Sequence, residues 1–168
     1  MKTLVRTRTD IPWMPKLHEA RLYLTDEAPP PSRCGSAFGF VFAGEEVLLT
    51  RLRNRDWDIP GGVIDPGETP QAAAVREVWE ETAARIEITA LLGIQELELL
   101  GPKPERYRWP YPISVQVFYL CRLVELAPFT ANDESTERAF FAPALARQVP
   151  TMVNHDLIYE AALRAARG

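Results

Sequence analysis

The segment from Thr69 to Thr82 has little choice but to be an α-helix, and its acidic residues then have few places to go. Thr69 suits the N-cap, Pro70 suits the first helical position, and Gln71 to Thr82 are compatible with helix. Residues three and four apart share a helix face, so Glu77, Glu80 and Glu81 converge. Three carboxylates this close repel one another and destabilise an idle surface. A hard divalent cation is the usual compensation, because Mg²⁺ takes carboxylate oxygens together with phosphates and water. Ala72, Val75 and Trp79 follow at i, i+3 and i+7 and are expected to form the apolar back that meets the core. Taken alone, a Glu-x-x-Glu-Glu cluster also fits a solvated acidic face, so its surroundings have to decide.

Strand patterns precede and follow this helix. Ala37 to Phe42 and Glu46 to Arg53 are rich in strand formers and flank Gly44-Glu45, which predicts a hairpin. Arg51 and Arg53 fall on one face of its second strand. Further strands are expected near Arg85–Ile94 and Ile113–Leu123, and a C-terminal helix over Asn154–Arg167. This alternation predicts an α/β or α+β sandwich around a mixed sheet. Residues 1–34 read as a peripheral arm, with Ala20–Leu24 as an edge strand and Ala28–Ser32 as a stiff proline linker. The main domain is then expected over 35–168.

Composition bounds the partners. With 168 residues and 46% apolar content, one domain with a sizeable core is expected. A net charge of −4 argues against a nucleic-acid duplex as the main partner, while a bound cation would still admit a polyphosphate. No apolar run approaches the ~20 residues of a membrane span, so no membrane partner and a cytoplasmic location are the expectation. Cys34 and Cys121 lack metal-type spacing and read as buried free thiols.

Gly62, Glu68, Arg76, Glu77, Glu80 and Glu81 stand at fixed spacings, with apolar Val78 among them. Together they resemble the Nudix box, Gly-x5-Glu-x7-Arg-Glu-U-x-Glu-Glu-x-Gly-U, in which U is apolar. Trp57-x-Ile59-Pro60-Gly61 extends the resemblance upstream. The family's fold would be an α/β/α sandwich around a central mixed β-sheet. Its activity would be hydrolysis of a diphosphate bond in a nucleoside diphosphate linked to another group, with Mg²⁺ or Mn²⁺. The resemblance implies that Glu77, Glu80 and Glu81 are metal ligands and that Arg76 orients them. Glu68 would support the loop and bind metal through water, and Gly61 and Gly62 would let the backbone approach phosphates. One position departs from the pattern. Ala83 stands where the family has glycine, so the helix is expected to end differently, because a left-handed alanine costs about 1 kcal/mol.

The general base is left open among Glu77, Glu137 and Glu134, in that order for the last two, on a segment Asp133–Phe141 that resembles a late acidic loop and strand of the family. Arg51 and Arg53 either reach phosphates or line a solvent-facing edge, and Trp57 is expected to pack more than to stack on a base. Trp109-Pro110-Tyr111-Pro112-Ile113-Ser114 is similar to part of a motif in NADH-type pyrophosphatases, although the preceding residues and the zinc cysteines of that group are missing. The competing class is a Nudix-like nucleotide-binding regulator without turnover. A homodimer is compatible with the family resemblance.

Overall fold

The computed structural model describes residues 1–168. Its strands are β1 (Thr3–Arg8), β2 (His18–Leu24), β3 (Cys34–Ala43), β4 (Glu46–Leu52), β5 (Trp57–Asp58), β6 (Gly61–Val63), β7 (Ala84–Leu99), β8 (Ile113–Leu126) and β9 (Ser135–Phe141). The helices are α1 (Pro70–Thr82), α2 (Pro143–Ala146), α3 (Pro150–Asn154) and α4 (Asp156–Arg167). The strands form one sheet in the order β1-β2-β7-β8-β3-β4-β5, with β6 added to β3 and β9 to β4. Only β3 and β8 run parallel, so the sheet is mixed.

Period-two alternation divides the core into two layers. Ala37, Val41, Leu48, Val117 and Tyr119 face Ala73, Ala74 and Val78 of α1. Phe40, Phe42, Val47, Leu49 and Phe118 face Met152 of α3 and Ile158, Tyr159, Ala162 and Leu163 of α4. Helices therefore cover both faces of a mixed sheet, which is the α/β/α sandwich expected. No helix is long and apolar enough to cross a membrane. Cys34 and Cys121 are free and buried, as expected.

The arm departs from its expected place. Ala20–Leu24 is not an edge strand: β2 pairs with β7 from His18↔Leu99 to Leu24↔Gly93, and with β1 on its other side. The edge is β1, which the sequence reading left out because charged and polar residues interrupt its apolar pattern. Its arginines suit an exposed edge. Arg6 also reaches α4, where Nη1 donates to Asp156 at 2.7 Å. The C-terminal helix starts at Asp156 because α3 occupies the preceding turn and His155 breaks the helical path at φ −114°.

The facing of α1 is a second correction. Val75 and Trp79 stay 40% and 39% exposed, and Ala72 is exposed too. The buried stripe is Pro70, Ala73, Ala74, Glu77, Val78 and Glu81, a run at i, i+3, i+4, i+7, i+8 and i+11. Two of the acids thus lie between helix and sheet instead of opposite the core. Trp79 covers the Arg85 guanidinium at 4.6 Å.

The expected N-cap is present, with Thr69 Oγ1 accepting the Ala72 N–H at 3.1 Å. The C-terminus ends in the left-handed conformation after all: Ala83 takes φ 53°, ψ 28°, and its N–H donates to Trp79 O. The last-turn hydrogen bond and the immediate start of β7 hold it there. Ala83→Gly is therefore expected to stabilise the protein by about 1 kcal/mol, raising the melting temperature by roughly 2–4 °C. Calorimetry that found the glycine variant no more stable would remove the strain assigned to this residue.

Candidate active site

Arg76 is the hub of the site. Its Nε and Nη2 each donate to Glu68 at 2.9 Å, one to each carboxylate oxygen. Nη2 also donates to Val63 O at 3.0 Å, while Nη1 reaches Glu77 at 2.9 Å and Glu80 at 3.2 Å. One guanidinium thereby ties the loop before α1 to two of its acids, a fork that an ammonium could not reproduce. The pairing with Glu68 raises the Arg76 pKa and lowers that of Glu68. Glu68 accepts the Asp65 N–H as well, so it supports the loop as expected, and both its oxygens are taken. It does not join the cluster described next.

Glu77, Glu80 and Glu134 each present a carboxylate oxygen, and the three oxygens lie within 4.8 Å of one another. Glu77 is 8% exposed, and burial raises its pKa against the lowering effect of Arg76. Glu81 is 4% exposed; burial, then the charge of Glu77, pushes its pKa up to about 9. Glu81 Oε2 accepts the Gly61 N–H at 3.3 Å. It lines a cleft of about 270 Å³ with Arg53, Arg55, Asp133 and Glu134. An all-oxygen donor set of this kind suits Mg²⁺ or Mn²⁺.

Close packing around the two glycines requires that they lack a side chain. A Cβ on Gly62 would lie 2.7 Å from the Glu77 carboxyl carbon, so this glycine makes room for the acid itself. A Cβ on Gly61 would meet Ala37 O at 2.4 Å, where β6 closes against β3.

Geometry brings Glu134, and not Glu137, into the oxygen cluster. Glu137 is paired with Arg51 at 2.9 Å across the β4–β9 ladder and lies outside the cluster. That pairing also commits Arg51, whereas Arg53 lines the cleft and bonds Asn132 O at 2.6 Å. The carboxylate of Glu134 has no protein partner, but its backbone is well held. Asn132 Oδ1 accepts the N–H groups of Glu134 and Ser135 at 2.9 and 2.8 Å, and Asn132 Nδ2 donates to Glu80 O at 2.9 Å. Behind this loop, the buried hydroxyls of Thr50 and Ser135 meet at 2.7 Å, and Thr50 also donates to Glu81 O. The sequence reading missed Asn132, Thr50 and Ser135. Asn132, followed by two acids and a serine, carries the signal of an Asx turn, a turn closed by the asparagine side chain.

Trp57 packs edge-on against Phe141 at 5.0 Å, as expected. The Trp109–Ser114 segment packs against Gly35 and leads into β8, and none of its residues lines the cleft.

The sequence model of the NUDIX domain matches residues 33–162. The chain belongs to the Nudix family. It is 40% identical over 67 residues to a MutT-like protein of Streptomyces ambofaciens, covering 39% of this chain and 44% of that one. It is 34% identical over 87 residues to an RNA pyrophosphohydrolase of Psychrobacter cryohalolentis, covering 49% and 50%. This Nudix chain thus spans half or less of the length of these curated relatives. Its fold is similar to that of a Bacillus subtilis pyrophosphohydrolase, with a TM-score of 0.65, 23% identity, and coverage of 88% and 92%.

Proposed function

We propose that this chain is a divalent-metal-dependent hydrolase of a phosphoanhydride bond in a nucleoside diphosphate derivative. The observation that carries the reading is the Glu77–Glu80–Glu134 oxygen cluster beside a cleft that two arginines line. Glu77 and Glu80 would hold Mg²⁺ or Mn²⁺ through their clustered oxygens, and Glu81, which lies outside that cluster and lines the adjoining cleft, would be the third acid; the hard-oxygen chemistry of these carboxylates fits that group. Such a cation supplies charge neutralisation on the diphosphate and a more acidic water.

The remaining work belongs to the protein. Arg76 holds Glu77 and Glu80 in place, so their mutual repulsion is already met before substrate arrives. Arg53 and Arg55 line the same cleft as Glu81 and Glu134, where their guanidinium groups would meet the phosphates. Glu134, whose carboxylate has no partner, accepts the proton of the attacking water, and the Asn132 turn sets its position.

The test is a panel of nucleoside triphosphates, nucleotide sugars, dinucleoside polyphosphates, NADH and RNA, the last included because one relative is named for it. Cation-dependent release of a nucleotide with a phosphate-bearing second product is expected, and the product pair locates the bond cleaved. Absence of turnover on every member, with binding retained, would replace this reading by that of a nucleotide-binding regulator.

A further inference from the structure

A second cavity, of about 420 Å³, lies next to the acidic cleft, and Arg55 lines both. Its volume is in the ordinary range for a small-molecule pocket. Phe38 and Phe118, stacked at 5.4 Å, contribute aromatic surface, and Trp57 lines it from β5. Gln95 and Gln116 add amides. Gln95 Nε2 donates to Gln116 Oε1 at 3.2 Å, which leaves Gln95 Oε1 as an acceptor and Gln116 Nε2 as a donor, both without protein partners. His155 adds another acceptor: its Nδ1 lies 2.8 Å from Thr151 O, so Nδ1 carries the proton and Nε2 is free.

The loop around Asp58 and the helix α3 close part of the cavity, and a further wall comes from the N-terminal arm, through Arg8, Ile11, Pro12 and Trp13. All four precede the span that the NUDIX domain model matches. The turn that carries Trp13 is firmly anchored. Ile11 N–H donates to His18 Nε2 at 3.0 Å, Met14 N–H donates to Ile11 O at 3.1 Å, and Ile11 and Met14 are buried against Ala20, Leu97 and Leu99. Trp13 itself, between two buried neighbours of the turn, remains 66% exposed. An indole held on a rigid turn at a pocket mouth, without packing of its own, has the properties of a stacking surface.

We propose that the Ile11–Met14 turn of the N-terminal arm completes a nucleobase pocket, with Trp13 as the stacking residue and the Gln95–Gln116 amide pair as the reader of the base edge. An adjacent donor and acceptor match the hydrogen-bonding edge of a base, and flanking aromatic faces match its planes. The assignment rests on the reading of the acidic cleft as the phosphate site, which fixes where the rest of a nucleotide would go.

The experiment is calorimetric titration of the full chain, without added metal, with AMP, GMP, CMP and ribose 5-phosphate. It is repeated with Trp13→Ala and Trp13→Phe, and turnover on the nucleotide panel is followed separately. At least one nucleoside monophosphate is expected to bind about tenfold or more tightly than ribose 5-phosphate. Trp13→Ala should remove about tenfold of that affinity, and Trp13→Phe should recover it to within about threefold, because phenylalanine keeps the aromatic face. Base-independent binding, or an alanine variant that binds as the parent does, overturns the pocket even if the chain hydrolyses nucleotides. Base-dependent binding that falls in Trp13→Ala upholds the pocket even if no nucleotide is turned over, so the two readings fail separately.

Discussion

Replacing Glu81 with Gln is expected to lower turnover by about 10²–10³-fold and, in the metal-free protein above neutral pH, to raise the melting temperature. The two effects have one cause. Glu81 is 4% exposed between α1 and β6, and burial with the charge of Glu77 pushes its pKa up to about 9. Since the folded pKa lies above the ordinary value of 4.5, the native state binds the proton more tightly than the unfolded chain does. The stability associated with the protonated acid is complete below about pH 4.5 and is lost as pH rises towards 9. Glutamine keeps the shape and the acceptor for Gly61 N–H but never ionises. Its advantage should therefore be small at pH 5 and grow to about 2 kcal/mol by pH 8. Melting curves in chelator across this range test the point. A Glu81→Gln variant whose advantage does not grow with pH would contradict the burial argument, and parental turnover would remove the catalytic one.

Arg76→Ala should be the most destabilising single change at the site, by about 2–4 kcal/mol, with activity lost alongside. The guanidinium is the shared partner of Glu68, Glu77 and Glu80, and it also bonds Val63 O. Without it, two adjacent acids of α1 face each other uncompensated and the 63–68 loop loses its tether. Arg76→Lys should recover little, because one ammonium cannot bridge so many acceptors. Adding Glu68→Gln to Arg76→Ala should restore part of the stability, since an unpaired carboxylate is then gone. Urea denaturation distinguishes these cases; an alanine variant within about 0.5 kcal/mol of the parent would show that Arg76 is not the hub described.

Much of the site is legible in the sequence. The N-cap at Thr69, the helix to Thr82 and the β3–β4 hairpin depend on neighbours in sequence, and local chemistry specifies them well. The direction in which α1 faces was not legible from its apolar residues, because Glu77 and Glu81 belong to the buried stripe and a count of apolar positions assigns them outward. That Glu134 and not Glu137 joins the oxygen cluster was hidden for a different reason. Which acid reaches the cluster depends on the Asn132 turn and on the register of β9 against β4, where Glu137 falls opposite Arg51. Register is a long-range property, and spacing along one strand does not carry it. The strand β1 carries no clear strand signal because an edge strand needs little apolar pattern of its own.

The sheet order also sets a timetable for synthesis. The partners β4 and β6 of strand β3 leave the ribosome within thirty residues of it, although its parallel partner β8 follows much later, whereas β2 has only the edge strand β1 beside it until Gly93–Leu99 emerge. The arm is thus made first and docked late, after the whole of the acidic helix has emerged. No residue of β1 is buried, whereas most of β3 and β4 is, and elements with few buried contacts are natural places for partial opening. Amide hydrogen exchange should find β1 and β2 releasing ahead of β3 and β4, so the wall that carries Trp13 would loosen while the glutamates stay in register.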